Sequence, residues 1–150
     1  MVLRERRGEV GLIVKLVSTF LAGAVDLWVG IPTGFVLGLP AVLVWAAAVA
    51  GNLSVVAVAF LAGDRLRPWV FSNRWLAKRR KRVERFWEKY GVVGVALQAP
   101  LLSGTPTATV VALALGAPTR SLLFWMVPSV MVWGAILTGA ARFGVSLLWG

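Results

Sequence analysis

The sequence has no cysteine and no histidine among its 150 residues, and only 15% of its residues are charged. Soluble domains have about 25% charged residues. Without Cys and His the chain has no thiol nucleophile, no imidazole base and no Cys or His metal ligand. We therefore expect no enzymatic activity, no bound metal and no other cofactor.

Long apolar runs account for most of the sequence. Residues 11–63 and 91–141 are nearly free of charge, and 59% of the chain is hydrophobic, with a mean hydropathy of +0.81. Each run has about 50 residues, and a spanning helix needs about 20. The pattern predicts an all-α integral membrane protein with several spans, forming one polytopic domain over residues 1–150. We divide that domain into a first half at about 10–63, a linker at about 64–90 and a second half at about 91–150.

The positive charge is concentrated between the two apolar runs. Ten of the sixteen Lys and Arg residues lie within residues 65–89. By the positive-inside rule this segment is expected to be cytoplasmic, in the inner (plasma) membrane. Anionic lipids of the inner leaflet are its expected partner, at about 1 kcal/mol per basic residue, and no nucleic acid is expected. The N-terminal basic residues are interpreted as a second cytoplasmic anchor rather than part of a cleaved signal peptide, because Lys15 interrupts the apolar run: Arg4, Arg6 and Arg7.

Within the basic segment, apolar and aromatic side chains recur along one side of a predicted helix at residues 75–90. Such a helix is typical of the membrane interface, with long cations reaching the headgroups. Two interpretations stay open. The helix serves as a topology anchor, or it is a platform for lipid headgroups that uses Arg79, Arg80 and Arg82.

The stretch VDLWVGIPTGFVLGLP, residues 25–40, combines an acidic residue with helix breakers. Asp26 at the bilayer centre would cost about 2.5–3.5 kcal/mol, so we expect it to be a proton or substrate site; the alternative is an interfacial helix end. Three glycines at a spacing of four and an internal proline are expected to shape the backbone around it: Gly30, Gly34, Gly38 and Pro32.

The second half contains a similar polar interruption, QAPLLSGTPTA, at residues 98–108. Irregular backbone at membrane depth must line a cavity or be buried in protein, so this segment is either re-entrant or a surface loop. Its backbone-shaping residues are Pro100, Gly104 and Pro106. Its hydroxyl side chains are expected to join Asp26 in the site: Ser103, Thr105 and Thr107.

The two interruptions also match each other. Pro32-Thr33 is matched with Pro106-Thr107, and the Leu-Gly-x-Pro segment at 37–40 with the one at 115–118. The match is either a chance recurrence of common residues or an internal repeat. Paired broken helices in two halves are a recurring plan of transporters, and we therefore predict two repeats of a broken or re-entrant helix plus a spanning helix.

These segments resemble the small multidrug export family, which is related to the DedA-type membrane proteins. The resemblance rests on DLWVGIPTGFVLGLP, the following Gly-Asn at 51–52, EKYG at 88–91 and APLLSGTPTA at 99–108. Where the family usually has Glu and then Arg, this chain has Asp26 and Trp28, and its second motif lacks the usual Pro-Gly-Thr-Gly ending. The resemblance implies two opposed re-entrant segments, which in DedA-type proteins accompany translocation of lipid phosphates.

Three functions are compatible with this pattern. The first is translocation of an amphipathic or phosphate-bearing lipid or a small organic solute, with possible proton coupling at Asp26. The second is proton-coupled export of small hydrophobic cations. The third is a membrane scaffold without transport, packed through its small-residue faces. Self-association into a homo-oligomer is a further expectation for a chain with so few spans.

The charge distribution generates a test of orientation. We expect Ser72→Cys, on this cysteine-free background, to react with a membrane-impermeant thiol reagent only after cells are permeabilised, because residues 65–89 carry the charge excess. Labelling from outside intact cells would contradict the assignment.

Overall fold

The computed structural model describes residues 2–62, 65, 68, 72, 74–102 and 104–149, without the side chains at 2–10, 75–80, 82, 83, 86, 100–102, 145 and 147–149. The described residues form six helices and no strand, which confirms the all-α prediction. Two helices, α3 and most of α6, are apolar and long enough to cross a membrane. The helices are α1 (Val2–Val25), α2 (Leu27–Val36), α3 (Ala41–Ala62), α4 (Arg74–Leu102), α5 (Thr105–Ala114) and α6 (Thr119–Trp149).

Two helical segments have the same local geometry, 78 residues apart. Helices α2 and α5 have 10 residues each, and each is followed by a leucine and a left-handed glycine, Gly38 (φ 72°) and Gly116 (φ 88°). The glycine permits the left-handed turn that ends the helix. In both turns the next amide donates back into the helix, from Leu39 to the Gly34 carbonyl at 3.1 Å and from Ala117 to the Ala112 carbonyl at 3.0 Å. The Leu-Gly-x-Pro segments therefore form the same turn.

The prolines upstream of these turns are not equivalent, so the predicted match between them is wrong. Pro32 is the sixth residue of α2, whereas Pro106 is the second residue of α5, the position that Trp28 holds in α2. A proline in the first turn lacks only an amide that has no partner within the helix. Pro32 does not break α2 either, since the helix continues to Val36.

Helices α1 and α2 form an antiparallel hairpin that closes on glycine. A Cβ atom on Gly30 would lie 2.6 Å from the Gly23 Cα atom, and one on Gly34 would lie 3.0 Å from the Thr19 methyl group. A Cβ atom on Gly30 would overlap the α1 backbone, and one on Gly34 would crowd side chains of α1 and α3, so the close approach of the two helices depends on the missing side chains. The Gly30-Gly34 face of α2 therefore packs against other helices of the same chain.

Helix α3 runs along this hairpin. It starts at the open end, where α2 finishes, and continues past the tip, where Asp26 joins α1 to α2. Near the start of α3, Val44 contacts Gly34; further along, Ala48 lies against Gly30. The hairpin tip, at Asp26, consequently lies beside the middle of α3, and the second half of α3 continues beyond it.

The second half of the chain begins with a bent helix. Helix α4 is kinked at Gly91 (φ 64°, ψ −160°), which separates its basic part from its apolar part. Helix α6 is hydrogen-bonded to the apolar part of α4. The Ser129 hydroxyl and the Trp133 indole N–H donate to the Leu97 carbonyl at 3.3 and 2.8 Å. The break predicted across residues 98–108 is shorter than expected: α4 continues through Pro100 to Leu102, and α5 begins at Thr105.

The glycine contacts lead to a stability prediction. Gly30→Ala should lower the free energy of unfolding by about 1–3 kcal/mol, because its methyl group overlaps the α1 backbone. Gly11→Ala is the matched control: a Cβ atom there meets nothing within 4 Å, and alanine favours helix. Thermal unfolding in detergent measures both, and equal stabilities for the two variants would contradict the close packing of α1 and α2.

Candidate functional site

Asp26 forms the tip of the first hairpin. Its backbone is extended (φ −164°, ψ 149°) between α1 and α2, and its Oδ1 atom accepts a hydrogen bond from the Trp28 amide at 3.3 Å. This is the usual role of aspartate at the N-cap of a helix, which is worth about 0.5–2 kcal/mol. The carboxylate is partly buried. One of its functions is therefore to start α2.

The same carboxylate reaches the start of α5. Gly104, the N-cap of α5, has a positive φ of 83° and provides no side-chain cap. A Cβ atom on Gly104 would lie 2.7 Å from the Asp26 Oδ2 atom, so the carboxylate packs against the bare Gly104 backbone. One negative charge thus lies at the N-terminal ends of two helices, where the helix dipoles favour an anion. The structure brings the predicted residues Asp26 and Gly104 together across the two halves.

Two buried polar side chains lie close to this junction. The Asn52 amide on α3 donates to the Gly23 carbonyl at 3.0 Å, in the last turn of α1 just before Asp26. Thr105 follows Gly104 directly and is fully buried. Among the described residues, neither Asn52 Oδ1 nor Thr105 Oγ1 has a hydrogen-bond partner. Buried polar atoms in that state are uncommon in folded proteins.

Asn52 was missed as a site residue by the sequence reasoning. In the sequence Asn52 belongs to the Gly-Asn pair that contributes to the family resemblance, and the resemblance assigns it no role. A lone amide in a charge-free helix was the available signal, since such a group must find a partner in an apolar environment. Its partner is the Gly23 carbonyl, which lies in the last turn of α1 and has no amide of its own helix to accept from.

The remaining predicted residues lie at varying distances from the junction. Thr107 lies in the first turn of α5 and is partly buried, whereas Gly38 lies at the opposite end of α2 from Asp26. Ser103 lies outside the described residues. Arg79, Arg80 and Arg82 are in α4, but their side chains lie outside the description, so their headgroup role stays a prediction. Where side chains are described, no three acidic groups come together to hold a metal ion.

The second charged residue of the first apolar run lies at the other end of α2. The Lys15 ammonium is 4.0 Å from the position of a Cβ atom on Gly38, where α2 ends. A cation at the C-terminal end and an anion at the N-terminal end both complement the dipole of α2. Lys15 and Asp26 thus mark the open end and the tip of the first hairpin.

An apolar cleft of about 220 Å³ begins beside Asp26 and separates α2 from α6. The Trp28 side chain, 52% exposed, stands at its margin. On the α6 side the wall consists of small and aliphatic residues. The cleft is lined by Leu27, Trp28, Ile31, Pro32, Leu137, Ala140 and Ala141.

Comparison with known proteins gives one family. The family model described as "Putative small multi-drug export protein" matches residues 26–136, from the Asp26 tip to the middle of α6. No curated protein and no solved structure is significantly similar to the chain. The relationship to DedA-type proteins is not part of this match and stays a prediction.

The contact between Asp26 and Gly104 can be tested by paired substitutions. Gly104→Ala and Gly116→Ala both force alanine into a positive-φ backbone, at about 1–3 kcal/mol each. Only Gly104→Ala also pushes a methyl group against the Asp26 carboxylate, since nothing lies within 4 Å at Gly116. We expect Gly104→Ala to unfold at the lower temperature, and the difference to shrink in an Asp26→Ala background. An unchanged difference in that background would show that the carboxylate is not in contact.

Proposed function

The chain belongs to the small multi-drug export protein family, and we propose that it is a membrane transporter that exports amphipathic organic cations in steps linked to the charge state of Asp26. The family and the two long apolar helices indicate a membrane protein with a transporter-like role. The substrate class and the coupling rest on the geometry around Asp26.

Helix α5 packs against the preceding helix α4 and forms a second hairpin with it, whose tip is at Gly104. The observation that carries the proposal is the meeting of the two hairpin tips, at Asp26 and Gly104, beside the middle of α3. Helices α2 and α5 have 10 residues each, about 15 Å of helix. Two such hairpins, tip to tip, would cover the hydrocarbon core of about 30 Å. Asp26 would then lie near the bilayer centre, where a carboxylate is costly and usually functional.

Opposed hairpins also fix the sides of the membrane. The first hairpin and the start of α3 would lie on one side, and the end of α3 and the open end of the second hairpin on the other. The N-terminal segment and the basic segment would then lie on opposite sides, and in this arrangement only one of them would be cytoplasmic. The ten cations of residues 65–89 decide the orientation, which moves Arg4, Arg6 and Arg7 to the outer side.

The apolar cleft supports an amphipathic substrate. It would lie in the outer half of the membrane, because its α2 wall leads from Asp26 towards the open end of the first hairpin. Its apolar walls suit a lipophilic body, and the Asp26 carboxylate, next in sequence to the lining residue Leu27, suits a positive charge. A phosphate group would meet the same carboxylate and be repelled by it, which makes a phosphate-bearing lipid the weaker candidate.

Trp28 is exposed at the margin of the cleft, although Leu27 and Ile31 of the same helix are buried. We infer that the substrate enters beside α2. A matching opening beside α5 in a second state would give alternating access, as in transporters built from repeated broken helices.

The scaffold alternative loses its main support. It named the Gly30-Gly34 face as a packing surface, and that face is covered by α1 and α3 of the same chain, so it gives no argument for a partner helix.

Replacement of the carboxylate is the direct functional test. Asparagine caps helices as well as aspartate does, so Asp26→Asn should fold normally while losing the ionisable group. In proteoliposomes with an imposed pH gradient, we expect Asp26→Asn to abolish uptake of a fluorescent lipophilic cation, and Asp26→Glu to retain part of it.

The control is Asp26→Ala, which loses both the cap and the charge and should also be less stable. If Asp26→Asn transports the cation at the wild-type rate with the same pH dependence, Asp26 is only a helix cap and the proposal fails. Transport of a fluorescent phospholipid, but not of the cation, would replace the substrate class with lipid.

A further inference from the structure

The two unpartnered oxygens near Asp26 are not explained by a proton site. A proton needs only the carboxylate, yet Asn52 Oδ1 and Thr105 Oγ1 are fully buried and have no partner among the described residues. The orientation of the Asn52 amide is fixed by its hydrogen bond to the Gly23 carbonyl. Its oxygen is therefore an acceptor that lacks a donor.

The residues that carry the two oxygens each lie next to a group that contacts or closely precedes Asp26. Thr105 follows Gly104, at which a Cβ atom would lie 2.7 Å from Asp26 Oδ2, and successive Cα atoms are about 3.8 Å apart. Asn52 binds the carbonyl of Gly23, less than one helical turn before Asp26. The last carbonyls of α1 and α4 also end at this junction, without amide partners inside their own helices.

Resting on the function proposed above, we infer that the junction of the two hairpin tips binds Na⁺, with ligands from Asp26, Thr105 Oγ1 and Asn52 Oδ1. The available atoms are oxygens, which hard cations prefer. A single carboxylate matches a single positive charge, whereas divalent sites normally use several carboxylates. Carbonyls at interrupted helices hold Na⁺ in transporters of the broken-helix plan. The ion would bind at the same carboxylate that the proposed transport step uses.

Sodium binding can be measured on the purified protein with Na⁺ as the only ligand. NaCl, compared with choline chloride at equal ionic strength, should raise the unfolding temperature in a saturable way, because an ion bound only to the folded state stabilises it. We expect Thr105→Val to weaken the apparent Na⁺ affinity by about tenfold or more. Thr105→Ser, which keeps the hydroxyl group, should preserve most of it.

Thr138→Val is the matched control. Thr138 is also buried and its Oγ1 atom also lacks a partner among the described residues, but it lies beside Trp45 and Ala41 near the start of α3, away from Asp26. This variant should bind Na⁺ like the wild type. A wild-type unfolding temperature that does not respond to Na⁺, or an equal loss in Thr105→Val and Thr138→Val, would overturn the sodium site.

The two proposals fail separately. If Asp26→Asn abolishes transport driven by a pH gradient and Na⁺ has no effect on stability or transport, the transporter stands, its coupling ion is the proton, and the sodium site is wrong. If Na⁺ binds as expected but Asp26→Asn transports normally, the proposed coupling at Asp26 is wrong.

Discussion

The contact between the Asp26 carboxylate and the Gly104 backbone joins the two halves of the molecule. One oxygen of that carboxylate caps α2, and the other packs at the start of α5. A side chain at position 104 would occupy the place of the carboxylate, so the first half supplies the acidic group and the second half supplies the space for it. Both helices direct their positive dipole ends to this point. The buried polar residues Asn52 and Thr105 lie next to the point where these two tips meet.

Close packing at glycine determines where the Asp26 tip lies along α3. Gly30 and Gly34 allow α2 to lie directly on α1, and Ala48 holds the hairpin beside the first half of α3. Because α3 continues beyond the hairpin tip, the tip lies at the middle of a helix long enough to span a membrane. Close backbone packing, rather than large side chains, thus determines where the carboxylate lies. Membrane helices commonly pack in this way, since lipid removes the hydrophobic drive for helix association.

The sequence predicted the class of fold and the residues at the junction better than their arrangement. The lack of charge predicted helices, and the cost of a carboxylate in apolar surroundings pointed to Asp26. The register between the halves could not be obtained from the prolines, since Pro32 lies within α2 and Pro106 lies in the first turn of α5, positions with different effects on a helix. The role of Asn52 depends on a contact with α1 across 29 residues, which no local pattern encodes.

The depth of the first hairpin tip decides whether Asp26 lies in the core of the membrane. Val25, beside the tip, and Val36, near the open end of the same hairpin, are both well exposed, at 71% and 87%. They are separated by 11 residues of chain, and α2 between them is about 15 Å long. Spin labels on Val25→Cys and Val36→Cys in lipid bilayers, with depth measured by accessibility to oxygen and to a polar nickel complex, test the arrangement directly. A re-entrant hairpin predicts Val25 near the bilayer centre and Val36 near the surface; both labels at headgroup depth would contradict it.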